Sequence, residues 1–255
     1  MSKLYAGRFT TSFTGYHITG GTMAEAFDRV ERLGIRWNLE TFGVERIEVT
    51  VKTKGPLDQY NRMNTHFGGD NKAMQRLAVF DSNVYQCVSG FITGIRPEGQ
   101  NKVTYIAKGP GWNHYDQYGP TVTNYTASTT TSAMLINFLE DDVFILSDDM
   151  SNIEETSTAL GGWQHPARFG MYPGDYIEFA RKAGNSAGQL WDYWCVDRPM
   201  LWGNLQDFTP HFSNRANRTS VDWRVSIIDM SSLSLDRDMS DFRSSANIWY
   251  GTYAM

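Results

Sequence analysis

In two stretches between residues 44 and 107, at 44–52 and 102–107, hydrophobic side chains recur at every second position, and no other feature restricts the fold as much. Ile47, Val49 and Val51 alternate with Arg46, Glu48, Thr50 and Lys52. Such a period sends successive side chains to opposite faces, as in a half-buried strand. Gly55-Pro56 then breaks the pattern. A run from 77 to 80 leads into a second stretch, 84 to 95, interrupted by Gly90 and Gly94. Glycine inside a strand marks a bulge or a tight bend. Pro97-Glu98-Gly99-Gln100-Asn101 is a turn, and Val103, Tyr105 and Ala107 against Lys102, Thr104 and Ile106 form the return strand. Residues 84 to 107 are thus predicted to be a β-hairpin. Ile106 is apolar on the face opposite Val103, Tyr105 and Ala107. A strand apolar on both faces needs two covers. The chain's own core supplies one, and a neighbouring subunit is expected to supply the other.

Helical signals flank this region. Thr22 and Glu25 form a capping box, with Met23, Phe27 and Val30 at helical spacing, Leu33 near the same face and Gly34 beyond. A short amphipathic helix is expected over 23 to 33, a candidate for the second cover within one chain. Residues 121 to 132 hold eight Ser or Thr among twelve and suit a surface connection. Thr131 or Ser132 caps a second expected helix with Met134, Leu135, Phe138 and Leu139 on its apolar side. A third is expected from Pro173 to Lys182, with proline in its first turn and Gly184 past its end. Residues 190 to 196, a turn at Asp197-Arg198-Pro199 and 200 to 202 read as another hairpin. Val221, Trp223, Val225 and Ile227, then Ala246, Ile248 and Tyr250, alternate again. The fold class is β-rich α+β.

The chain has 255 residues, 8 Trp, 13 Tyr and 14 Phe, with 41% hydrophobic and 20% charged residues, which excludes wholesale disorder. A net charge of −5 argues against an electrostatic nucleic-acid binder. No apolar run approaches the roughly 18 residues a membrane span needs. The start, Met1-Ser2-Lys3-Leu4-Tyr5-Ala6-Gly7-Arg8, lacks the apolar stretch of a signal peptide. Cys87 and Cys195 are 108 positions apart. They are expected as buried, reduced thiols in strands. The sequons at Asn124 and Asn217 are taken as chance. His17, His66, His114, His165 and His211 form no metal-ligand spacing. His114 with Asp116 is the nearest to an acid–base pair, in an aromatic stretch that reads as packing. No nucleophile elbow, P-loop or dinucleotide turn occurs. Asp141-Asp142, Asp148-Asp149 and Glu154-Glu155 are adjacent pairs pointing apart, a solvated acidic face rather than a glycosidase dyad. No catalytic, cofactor-binding or metal-binding residue, and no cofactor, is expected.

Two regions, taken in order, resemble the hub and baseplate ring proteins of bacteriophage and prophage tails. The first comprises Leu77-Ala78-Val79-Phe80-Asp81, Gly90-Phe91-Ile92-Thr93-Gly94-Ile95, and Val103 through Lys108-Gly109-Pro110-Gly111-Trp112. It is similar to that family's strand, "G-x-V" strand and return strand ending in "G-x-x-W". The second is Trp194-Cys195-Val196-Asp197-Arg198-Pro199-Met200-Leu201-Trp202, then Leu233 to Asp241 and Asn247-Ile248-Trp249-Tyr250-Gly251. It is similar to a "D-R-x-L-x-F" hairpin and a closing segment, although Asn247 stands closer to the tyrosine than in the family. The resemblance implies a split β-barrel domain over 1–115 with one short helix. It further implies an α+β insertion domain over 116–212 and a C-terminal segment, 213–255, completing the barrel. By the same resemblance the chain is a non-catalytic part of a threefold or sixfold tail-tip ring around the tail channel; a distal-tail ring protein fits the length equally well. Its partners would be copies of itself and the tail tube, tape-measure, tail-tip or fibre proteins, with no specific nucleic-acid binding and no membrane span. Made in the host cytoplasm, it would reside in the virion tail. The alternative is a carbohydrate-binding module that contacts host glycans through exposed aromatics. Trp191, Trp194, Trp202, Trp223 and Trp249 lie in strand patterns where burial is the default.

Overall fold

The computed structural model describes residues 5–14, 17–38, 42–68, 75–80, 86–115, 128–142, 149–156, 172–183, 191–197, 204–205 and 207–217. All of them fall in one compact unit, Ser2–Thr219. In chain order the strands are β1 (Tyr5–Phe9), β2 (Ser12–Thr14), β3 (His17–Ala26), β4 (Val30–Asn38) and β5 (Gly43–Lys52). Helix α1 (Pro56–Gly68) precedes β6 (Arg76–Phe80), β7 (Gln86–Glu98) and β8 (Lys102–Lys108), and a 3-10 turn covers Pro110–Tyr115. Helices α2 (Thr131–Asp142) and α3 (Pro173–Ala183) lead to β9 (Trp191–Asp197), β10 (Asn204–Leu205) and β11 (Phe208–Asn214). The chain is mostly β, with a large antiparallel sheet and a few helices, as the α+β, β-rich reading anticipates.

The large sheet has nine strands in the order β10-β3-β1-β6-β7-β8-β5-β4, with β2 paired to β3. Consecutive strands β3 and β4 therefore stand six neighbour positions apart. In a flat sheet that is roughly 29 Å at about 4.8 Å per step. The four Cα steps from Ala26 to Val30 reach at most about 15 Å. The link is pinned at both sides: Phe27 N donates to Ala6 O at 3.0 Å, and Lys52 N donates to Arg29 O at 3.0 Å. Residues two apart thus touch β1 and β5, which requires the sheet to bend strongly back on itself.

The predicted strand at 44 to 52, the run at 77 to 80 and the 84–107 hairpin appear as β5, β6 and the β7–β8 pair. The helices expected near 131 and at 173–182 appear as α2 and α3. The cap of α2 is Thr130 rather than the expected Thr131 or Ser132: its Oγ1 accepts from Ala133 N at 3.3 Å, while Thr131 opens the helix and Ser132 exchanges hydrogen bonds with Thr156. The helix expected over 23 to 33 is a correction: those residues form the end of β3, a three-residue link and the start of β4. Thr22 and Glu25 stand on β3, and Glu25 pairs with Arg8 and Arg62 rather than closing a capping box. The helix of this region is instead α1, in the stretch after the Gly55-Pro56 break. The expected partner of β9 at 200–202 lies outside the described residues, and β9 pairs with β11 from Trp191↔Asn214 to Asp197↔Phe208. The strand patterns beyond residue 220 also lie outside the described residues.

Both faces of the sheet are covered in part by this chain. One face packs Ile47, Val49 and Val51 of β5 with Leu77, Val79, Val88, Ile92, Val103, Tyr105 and Ala107. Burying each large side chain of this kind stabilises by about 1.5–3 kcal/mol. On the other, Phe42 and Phe91 join α2, α3, β9 and β11 in a second cluster, with Phe91 against Phe208 at a ring distance of 5.4 Å. The second cover that the hairpin was expected to take from a neighbour is thus supplied in cis around Phe91, although Ile106 stays half-buried. β6 is buried at all five positions: Arg76 donates to Ser89 and lies 4.1 Å from the Phe208 ring centre, and of the apolar run after it Leu77 and Val79 face one side, Ala78 and Phe80 with Phe9 and Leu205 the other.

Candidate functional site

His114 ends up in the core. The turn after β8 is fixed where Gly109 N donates to Val44 O at 2.9 Å, and it carries the imidazole beneath β9. Side chains alternate along a strand, so Tyr193 and Cys195 on β9 both face it. His114 Nε2 is 2.9 Å from the Tyr193 hydroxyl, which is 3.4 Å from Cys195 Sγ; Sγ is 3.8 Å from Nε2. All three are buried, and Phe42 closes the ring face at 5.5 Å. His114 Nδ1 has no hydrogen-bond partner among the described residues. Burial holds the imidazole down to about 3, and pushes the Tyr193 hydroxyl well up. Asp116, its sequence-stretch companion, lies outside the described residues. Sealed from solvent, this triangle cannot meet a substrate, and its neutral imidazole acts as packing with one hydrogen bond.

A second polar group sits beside it. Asp192 is buried on β9 and accepts a bidentate pair from Arg215 at 2.9 and 2.8 Å, with Arg181 at 3.7 Å. The fork geometry satisfies both carboxylate oxygens, so Asp192 is a structural anchor. Of the acidic pairs, Asp149 accepts from Ser151 N, and Glu154 accepts from Asn214 N and from the Asn217 side chain. Asp148 lies outside the described residues, and Glu155 is exposed. No three His, Cys, Asp or Glu gather as a metal set among the described residues. His211 stacks on Trp194 at 5.1 Å; the side chains of His17 and His66, and all of His165, lie outside what is described. Cys195 is a buried thiol outside any disulfide, and Cys87 lies on β7.

Among the described residues the exposed large hydrophobics are Tyr5 on β1, Ile35 and Trp37 on β4, and Leu57 and Tyr60 on α1; β4 stands at the end of the strand order. Gly34, Ile35, Arg36 and Trp37 are four successive exposed residues, so this half of the strand is open on both faces. Ile35 pairs with buried Ile47 and Trp37 with buried Val44, yet they remain 44% and 45% exposed. The apolar face therefore runs past the edge of the sheet. Arg32 and Arg36 reach Glu48 and Glu45 across the pair, both at 3.5 Å. Reading 23–33 as a helix hid this strand; Leu33, Ile35 and Trp37 alternating with Arg32, Gly34 and Arg36 was the signal that could have shown it. The exposed aromatics Tyr5, Trp37 and Tyr60 lie on β1, β4 and α1. Trp37 adjoins the start of β5 and α1 follows its end, about 26 Å along the strand at roughly 3.3 Å per residue. They do not make a common sugar-stacking platform.

An antiparallel sheet with an open edge and no reactive cluster among the described residues defines a β-rich protein whose surface chemistry is backbone pairing and apolar contact. No protein-family model matches the chain, and no curated protein matches it. Among solved structures it is similar to the 43 kDa tail protein of prophage MuSo2 from Shewanella oneidensis, with a TM-score of 0.43 and 12% identity. The likeness covers 75% of this chain and 50% of that one, so the chain spans about half the length of the protein it matches. Among the described residues no helix is long and apolar enough to cross a membrane.

Proposed function

We propose that this chain is a structural subunit of a bacteriophage tail tip or baseplate, non-catalytic, assembling with copies of itself into a ring. The observation that carries the proposal is β4, whose outer half is exposed on both faces and presents Ile35 and Trp37 beyond the sheet edge. A long edge with apolar side chains is a template for another strand unless something covers it. Closed cyclic symmetry covers every such edge without making fibres. The tail-ring resemblance supports the reading, because its three motif segments fall in order on β6, β7 and β8 with the turn that follows.

In this reading the bent sheet is a split barrel with its seam between β3 and β4, and residues 1–115 form the barrel domain. Residues 116–212 are an insertion and 213–255 return to the barrel. Neighbouring tail proteins, not nucleic acid, are its other partners. The mass of the native full chain in solution is the test. Three or six copies of a 29.0 kDa chain give a closed species near 87 or 174 kDa. A chain that stays at 29.0 kDa at high protein concentration overturns the ring.

A further inference from the structure

We propose that His114 is an acid-operated latch: protonating its imidazole releases β9 from the Phe42 turn while the large sheet stays paired. The inference goes beyond the ring and does not depend on it. Among the described residues, β9 meets the backbone of the large sheet through one hydrogen bond, Cys195 N donating to Phe42 O at 2.9 Å. Its ladder is with β11 alone. β5, in contrast, is paired with β4 from Gly43 to Val51 and with β8 from Ile47 to Lys52. The single bond is held by close packing. A Cβ on Gly43 would lie 2.8 Å from Cys195 O, and the Phe42 ring contacts both His114 and Tyr193, at 5.5 and 5.3 Å.

A charged imidazole here finds no counter-charge among the described residues. From β9, the Tyr193 hydroxyl and the Cys195 thiol face it, while the side chain of Asp197, which has their strand parity, lies outside what is described. Asp192, on the alternate face of β9, is engaged by Arg215 and Arg181. On α3, Asp175 and Lys182 are exposed and Glu178 pairs with Arg181, while Tyr176 stacks on Phe138. On β5, Glu45 and Glu48 pair with Arg36, Arg32 and Arg46 at the surface. Nδ1 has no acceptor among the described residues, so the second proton would have nowhere to bond. A buried cation without partners is strongly disfavoured. Acid therefore favours whichever open state wets the imidazole, and the bond joining β9 to Phe42 is the backbone tie beside it.

The test is native-state hydrogen exchange on the full chain between pH 6.5 and 4.5, corrected for intrinsic rates. The Cys195 amide is compared with amides of the β5–β8 ladder. With an open-state imidazole near its ordinary value of about 6.5, uptake of one proton on opening makes the Cys195 opening constant rise about 50-fold over this range, approaching tenfold per pH unit at its acid end. The ladder amides stay flat, and in His114→Phe the Cys195 amide becomes independent of pH. A flat Cys195 amide in the wild type overturns the latch. So does a common rise of Cys195 and ladder amides, which is global acid unfolding. If His114→Phe does not fold, the 15N shifts of the wild-type imidazole decide. A midpoint far below 6.5 that tracks loss of Cys195 protection supports the latch, and a midpoint near 6.5 overturns it.

Discussion

Gly90 and Gly94 both interrupt the apolar pattern of β7, but they do so for different reasons. A Cβ at Gly90 would lie 2.6 Å from Lys108 O, a backbone atom that cannot step aside. Around Gly94 nothing stands within 4 Å, and the register shift falls there, between Ile92 and Gly94. Gly90→Ala is expected to lower stability by about 2 kcal/mol, as strained small-to-large changes do. Gly94→Ala should change it by less than about 0.5 kcal/mol, as substitutions away from tight sites do. Denaturant midpoints of the two variants check this, and equal losses would contradict the geometry. At Asp192 the argument is electrostatic. Arg215→Ala strips the bidentate partner from a buried carboxylate and leaves Arg181 at 3.7 Å. Because Arg215 is half exposed, the loss should be about 1–3 kcal/mol, the range for an unsatisfied buried acceptor. A loss below about 0.5 kcal/mol, the level of ordinary surface changes, would mean that Arg181 alone satisfies Asp192.

At the scale of elements, the strands from 44 to 107 were legible because period two and turn residues agreed over two hairpin arms. Helices α2 and α3 were legible by their caps and proline. The N-terminal region was not, since Met23, Phe27, Val30 and Leu33 fit a helical face as well as the interrupted alternation of β3 and β4. Strand partners on each side decided it: Phe9↔Met23 and Arg8↔Glu25 from β1, and Leu33↔Val49 from β5. Helix α1 was missed because Gly55-Pro56 looked like a break, whereas Gly55 takes a positive φ and Pro56 opens the helix. Its stretch is polar, and what holds it is tertiary. Gln59 is buried and donates to Gly99 O at 3.0 Å and Lys102 O at 2.7 Å, tying the helix to the β7–β8 turn. Gln59→Ala should remove about 1–3 kcal/mol by leaving two carbonyls unsatisfied, read as a lower thermal midpoint. Gln59→Glu should be worse, because a carboxylate only accepts and would face two carbonyl oxygens. If both variants melt as the parent does, the helix is held elsewhere. The candidate site was the least legible of all: alternation shows that a strand has an inner face, but not that it ends a sheet.

Whether the molecule is whole as a single chain turns on that edge. Trp37 and Ile35 stand beside buried Val44 and Ile47, so they continue the inner face with nearly half of their surface open. Singly exposed hydrophobics are common on protein surfaces and need no cause. Two neighbouring ones within a run of four exposed residues, Gly34 to Trp37, are a different case, because among the described residues their strand is paired on one side only. A stable assembly through this edge should bury about 1,000 Å² or more per interface. Large aromatics at its centre would then carry much of the affinity. Ile35→Glu with Trp37→Glu places like charges on the edge while replacing no buried residue. The double variant is expected to reduce the native assembly to 29.0 kDa subunits that melt as a folded chain. Arg32→Ala, which removes one surface partner of Glu48, should leave the assembly intact, since an exposed pair contributes only about 0–1 kcal/mol. If the double variant assembles as the parent does, β4 is not the joining edge. If the parent assembles but both variants fall apart, the edge is joined by charge rather than by its apolar side chains.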